Sequence, residues 1–503
     1  MKTTIISSVS ALALLAAAPA LGQVTRSTAV NGSAITQTGS TNSATVDQLR
    51  TGQSSDITQT GDGHKASVDQ GTSTGGGSNN ASTITQTGRT ATGIAGGTPA
   101  AQATVSQQSN RNSATVNQAG DGLVDIRQGF NSRSGSGNIA SATQSEVNSS
   151  NTAGMNRSGI LQEGTNQSAS SRQTGDRNFS RINQDGTNTT PVAGTFAASV
   201  VQSGDDNIAD VDQLGNNNSS TIGQDGNRNT ADSFQSGNTN TASSTQFGSD
   251  NQASTRQVGS GNTATAIQNG SNNALGVTPR GTSWGTRNVR TAFTPQTVGI
   301  NQIGDDNRGY VSQTGSGIGL VTQTGNRNFS GVAQDGASAS FQTVQTGNDN
   351  RVTGTKDANV NVRQTGARAD INTTQTGNAN QAVLDQIGND AVIEVTQIGN
   401  TNLARTTQAP ASAFAESGIY QTGDSNRAEV QQGSFASSFV EQTGNSHQAD
   451  VTQGDNAFSR ITQTGGNGNI ATVNQAASMY STVSQTGSGN TASVYQGVAR
   501  PSK

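Results

Sequence analysis

Glutamine recurs along this chain at a fixed spacing. An amide that recurs can donate to, and accept from, its own copies. Gln37, Gln48, Gln59 and Gln70 stand eleven residues apart, and so do Gln202, Gln213, Gln224, Gln235, Gln246, Gln257 and Gln268. The step returns in Gln364, Gln375, Gln386, Gln397 and Gln408, and last in Gln485 and Gln496. On strands stacked ~4.8 Å apart, each of these side chains would lie over the next and bond it, as amides do in steric zippers. Burying them this way avoids the ~2–7 kcal/mol that an unsatisfied polar group costs in an apolar interior. We therefore read them as a stacking ladder that faces inward.

Residues suited to catalysis or metal binding show no such order. The chain has no Cys and only His64 and His447, neither beside a second histidine. Both are expected in solvent. Ser and Asp are abundant but lie in phase with the repeat, so no acid–base or nucleophile pair stands out. The acidic turns Asp205-Asp206 and Asp305-Asp306 could attract Ca²⁺ in a structural role, but they lack the repeated Asp of a calcium-binding solenoid motif. They read instead as outward gatekeepers against premature aggregation. No enzyme activity and no cofactor is expected.

The elements that must carry the ladder follow from the rest of the unit. Eleven residues fit three helical turns, but the marked residues alternate, as in Ala44, Val46, Gln48 and in Ala264, Ala266, Gln268. That is the period of a strand. Each unit also carries Gly and, three residues later, Asn: Gly39 and Asn42, Gly215 and Asn218, Gly226 and Asn229, Gly259 and Asn262. Both residue types tolerate a left-handed backbone and are read as the turn. One unit is thus a strand of about six residues and a tight turn. Two units make a coil of two facing strands, and coils must stack because one alone buries too little. The expected fold is all-β: a β-solenoid of strand–turn–strand coils, two strands per coil of roughly 22 residues, with amyloid-like cross-β stacking.

Composition agrees with a thin core. Hydrophobic residues make up 29% and aromatic residues 3% of 503, against a norm of roughly 45–50% apolar. A net charge of −4 leaves no footprint for nucleic acid and no polybasic patch for a membrane surface.

The start of the chain has the three parts of a secretory signal peptide. Met1-Lys2 is followed by an apolar run over 5–18 and by small residues that allow cleavage after Ala20 or after Gly22. The run is too short to span a bilayer, which takes ~20 residues. We divide the chain into a signal peptide (1–22), a short segment (23–34), a repeat region (35–497) and a tail (498–503). The phase slips near 71–103, 129–159, 188–199, 274–298, 351–360 and 409–418. These stretches are read as loops on one solenoid, with separate repeat blocks as the alternative. The last unit, ending at Gln496, is followed by only a weak cap with Pro501, so its edge is expected to be open to pairing.

The unit running from Gln37 through Gly39, Asn42 and Ala44 to Gln48, repeated from Gln257 through Gly259, Asn262 and Ala264 to Gln268, resembles the curlin repeat. The resemblance covers most of the chain after the signal peptide. It implies a bacterial, extracellular fimbrial protein that self-associates, alone or with other curlin-like subunits, into curli-type functional amyloid. It further implies roles in adhesion, aggregation and biofilm matrix, and as partners a curli-type outer-membrane export pore and a nucleator. The chain departs from the curlin pattern in carrying many more than about five repeats and in the shortness of 23–34, where a Gly- and Asn-rich export segment is usual. Two other readings are a non-polymerising secreted solenoid whose outer Thr and Ser rows bind ice, sugar or a surface, and a β-helix enzyme.

Overall fold

The computed structural model describes residues 31–71, 79–88, 101–129, 136–145, 155–187, 197–280, 297–314, 317–354, 361–408 and 413–497. The signal segment 1–22, most of 23–34 and the tail 498–503 lie outside them. Among the described residues there is no helix, and the chain runs through 39 strands.

The first four strands set the pattern: β1 (Asn31–Thr38), β2 (Ser43–Gln48), β3 (Gln53–Thr60) and β4 (Lys65–Gln70). Strands alternate between two sheets, and every pairing is parallel. In the first sheet Ile35 lies over Ile57 and Gln37 over Gln59. In the second, Ala44, Val46 and Gln48 lie over Ala66, Val68 and Gln70. The first sheet has 19 strands and the second 20. Two of the latter, Arg351–Thr353 and Val362–Thr365, lie end to end between Phe329–Asp335 and Gln381–Ile387, so they are halves of one interrupted strand.

Within each strand, burial alternates with period two. Gly122–Gln128 buries Gly122, Val124, Ile126 and Gln128 and turns Leu123, Asp125 and Arg127 outward. The interior therefore has three places per strand: a small residue, an aliphatic residue and Gln. Two apolar clusters fill it, one from Ile57 to Ala231 and one from Ala253 to Val483.

The six phase slips are narrower than the sequence pattern suggests. Strands Ala81–Thr87 and Ile139–Ser145 lie inside 71–103 and 129–159, and Ala274–Arg280 opens 274–298. Pairing runs across each slip, as in Gln70 over Gln107, Gln144 over Gln173 and Gln268 over Gln302. The physical reason is that the inward triplet survives even where the spacing changes: Ser82, Ile84 and Gln86 are all buried. The extra residues fall between strands, except at 351–360, where they interrupt a strand between Thr353 and Val362.

Candidate functional site: amide ladders and the ends of the stack

The glutamines occupy the last inward place of the strands and are buried, apart from Gln37, Gln48 and Gln496 in the end coils, which are half-buried. In the first sheet Gln37 Nε2 donates to Gln59 Oε1 at 2.6 Å, Gln59 to Gln86 at 2.8 Å, and so on to Gln463, which donates to Gln485 at 2.8 Å. The second sheet does the same: Gln48 to Gln70 at 2.9 Å, Gln213 to Gln235 and Gln235 to Gln257 at 2.8 Å, Gln364 to Gln386 at 3.0 Å. The intervening glutamines of the uninterrupted run join alike, Gln202 to Gln224, Gln224 to Gln246 and Gln246 to Gln268. Gln375 reaches Gln397 at 2.8 Å. The second Nε2 hydrogen crosses to the facing strand, as from Gln235 to the Ser219 carbonyl at 2.9 Å. One side chain thus ties coil to coil and sheet to sheet. Only a primary amide supplies both the acceptor and the two donors this requires. Two rungs depart from the pattern: the register puts Pro279 in the glutamine place below Gln313, and Gln408, in register with Gln386, has no partner for its Oε1.

The turn asparagines play a different part from the one their spacing suggests. Gly39, Gly215, Gly226 and Gly259 have φ of 111°, 110°, 123° and 110°. The second left-handed residue is not Asn42, Asn218 or Asn229 but the residue before each, Thr41, Asn217 or Arg228 at φ 54–57°; before Asn262 it is Gly261. The asparagines have turned inward and form a second ladder. Asn229 Nδ2 donates to the Gly248 carbonyl at 2.8 Å, and its Oδ1 accepts the Asn251 amide at 3.1 Å. Asn218 likewise reaches Gly237 O at 2.8 Å, Asn42 reaches Gly61 O at 2.7 Å, and Asn262 donates to Val258 O at 3.3 Å.

His64 and His447 correct a second expectation. Neither is in solvent; both are fully buried, in asparagine places of this ladder. The His447 amide donates to Asn426 Oδ1 at 3.0 Å, and its Nδ1 accepts the Asn469 amide at 3.2 Å. Its Nε2 then lies 3.2 Å from the Thr443 carbonyl, as donor. Imidazole copies the donor–acceptor pair of an amide here.

A third ladder caps the turn tips. The Asp205 amide donates to Asn227 Oδ1 and the Asp305 amide to Asn326 Oδ1, both at 2.8 Å. The next residue of the same turns forms a column of alternating charge. Arg177 pairs with Asp206 at 2.6 Å, and Arg228 with Asp250 and Arg327 with Asp349 at 2.7 Å. The guanidinium bond holds the Asp206 and Asp349 carboxyls below their usual range. The side chains of Asp205 and Asp305 are therefore engaged as caps and that of Asp206 in an ion pair, and no group of three potential metal-binding side chains occurs among the described residues. A hollow of about 650 Å³ is lined by Arg308, Arg327, Phe329, Asp349 and Arg351; Arg327 and Asp349 within it satisfy one another.

The curlin associated repeat matches this chain four times, over 197–226, 226–254, 248–278 and 366–399. No curated protein matches it significantly. The matched segments include the longest uninterrupted run of the glutamine ladder. With parallel strands stacked about every 22 residues and the repeat recognised in four places, the chain carries curlin associated repeats within its β-solenoid.

Proposed function

We propose that this protein is a structural subunit of extracellular curli-type amyloid fibres, serving adhesion, cell aggregation and biofilm matrix. One observation supports it above others: the two ends of the described stack are copies of each other's missing neighbour. At one end Gln485 and Gln496 each give one Nε2 hydrogen to a backbone carbonyl, of Ile470 and Tyr480, and have no next coil for the other. At the opposite end Gln37 and Gln48 are donors to the following coil. Setting Gln485 over Gln37 and Gln496 over Gln48 also brings Val483 to Ile35, Val494 to Val46, Ala492 to Ala44 and Asn490 to Asn42. A head-to-tail contact of this kind does not close, so it propagates as a filament.

Under this reading 1–22 is removed on export, a dedicated outer-membrane pore passes the chain unfolded, and a nucleator at the surface seeds the first stack. The test is assembly of the chain lacking 1–22. Fibres that bind amyloid dyes and give reflections near ~4.7 Å and ~10 Å are expected. A monomer that persists for days at high concentration would sink the proposal and favour a non-polymerising adhesin.

A further inference from the structure

The two ends of the stack are built from coils of one kind. In the first sheet the inward place before the aliphatic one holds Ser33, Ser55 and Ser82 in the opening strands, in register with one another. The closing strands hold Ser417, Ser438, Ser459 and Ser481 there. Between these runs the place passes through alanines such as Ala114 and Ala264 to Phe341 and Ile393, and Ser220 is its one serine among the described strands. The second sheet holds alanine in the corresponding place at both ends, Ala44 and Ala66 at the start and Ala471 and Ala492 at the close. In the four strands that would meet, Asn31–Thr38, Ser43–Gln48, Tyr480–Thr486 and Thr491–Gln496, Asp47 is the one charged residue. Charge therefore does little to choose a partner.

Hydroxyls of this row find partners inside the stack. Ser459 Oγ donates to Ser438 Oγ at 3.2 Å, and Ser417 Oγ lies 3.2 Å from Thr406 Oγ1. At the closing end Ser481 is only 5% accessible, yet its Oγ is enclosed and has no partner within the chain. Ser55 Oγ, one coil in from the opening end, has none either. Stacking a second copy with Gln37 beneath Gln485 sets Ser33 between these two hydroxyls. A serine hydroxyl donates once and accepts twice, so Ser33 can serve both. We propose that the closing end selects the opening coil of another copy of this chain, and that Ser481 and Ser33 make the choice. The proposal rests on the end-to-end reading above and adds to it the identity of the partner. A coil with alanine or a larger apolar residue at that place would leave Ser481 buried and unbonded, which costs more than having no hydroxyl on either side.

The test uses the chain lacking 1–22 in four forms: wild type, Ser33→Ala, Ser481→Ala and both together. Alanine fills this place at Ala114 and Ala264, so each form keeps the fold. Every joint of a fibre brings Ser481 of one copy onto Ser33 of the next. The readout is the concentration of chain left in solution at equilibrium with fibres, after sedimentation. Ser33→Ala should raise it on the order of tenfold, by leaving Ser481 without a partner in the joint. Ser481→Ala alone should raise it less, because Ser33 still has Ser55. The double variant should return to within about threefold of wild type, since neither side of the joint then carries a hydroxyl. Ser220→Ala, in the same place far from either end, should leave it unchanged. A Ser33→Ala chain at the wild-type value, or a double variant no better than Ser33→Ala, would overturn the choice of partner and leave end-to-end growth standing. A wild type that never forms fibres would overturn both.

Discussion

Gln235 makes three kinds of bond at once: it accepts from Gln213, donates to Gln257 and donates to the Ser219 carbonyl, with its side chain wholly enclosed. Gln235→Lys would enclose a cation in the stack and take away the acceptor to which Gln213 donates. We expect a loss of about 3–5 kcal/mol, the scale of an uncompensated buried charge, and a slower assembly rate in a dye-binding time course. An unchanged rate would mean that the amide column contributes nothing to growth. His447 allows a finer test. His447→Asn should keep both ladder bonds and change stability little, whereas His447→Leu leaves the Asn469 amide without an acceptor, about 1–3 kcal/mol. Hydrogen exchange at Asn469 reads the difference directly. The glutamine column was legible in sequence because its period kept phase with the aliphatic residues. The histidines were not. A polar ring in a polar chain gives no sign of burial until its place is recognised as that of a laddered asparagine, and that ladder shares its spacing with the turn.

At the scale of a strand and its turn, two glycines of the same type separate two roles. Gly215 has φ +110°, and a Cβ there would lie 2.2 Å from the Gly237 carbonyl oxygen of the next coil. Gly223, in a strand with ordinary backbone, has nothing within 4 Å of an added Cβ. Gly215→Ala should therefore cost more than ~2 kcal/mol and open the turn, seen as faster exchange at the Gly237 amide, which bonds Leu214 O. Gly223→Ala should be neutral or mildly stabilising. The charged column on these turns is weaker. Asp206 and Asp349 are held below their usual pKa by Arg177 and Arg327, so their contribution is full above the ordinary carboxylate pKa and fades as pH falls through the lower folded value. Asp232 runs the other way: burial, then Asp210 and Asp212, raise its pKa, and acid relieves rather than removes stability there. The pairs are largely exposed, so Arg228→Ala should move thermal stability little, and high salt should mask the change. Which outward residues meet could not be read from spacing, because phase slips decide which unit lies above which; Arg177 meets Asp206 across 29 residues, not 22.

Across the whole molecule, single buried hydroxyls interrupt the apolar column at Ser171, Thr343, Thr373 and Thr406, and three in succession interrupt it near the middle of the chain. The middle inward place holds Val211 and Ile222, then Ser233, Ser244 and Thr255, then Ala266, all buried. This is where the two hydrophobic clusters part, one ending at Ala231 and the other beginning at Ala253. The hydroxyls gain little in return. Ser220 Oγ donates to Ser233 Oγ at 2.8 Å, while Ser244 Oγ has no partner. The glutamine and asparagine ladders continue through this section without a gap, from Gln235 to Gln257 and from Asn229 to Asn251. Stacked repeats lose stability where a nearest-neighbour interface is weak, so two cooperative blocks meeting near Ser244 are expected, joined by amides rather than by apolar contact. Hydrogen exchange should show strand amides around 230–260 opening at lower free energy than those around Val211 or Val321. Ser244→Val restores the residue type used in other coils and removes an unpaired hydroxyl. It should raise local stability by about 1–2 kcal/mol, on the order of two buried methyl groups, and carry the exchange protection of one block into the other. If protection stays divided at the same strands, the division comes from something other than the missing aliphatic side chains.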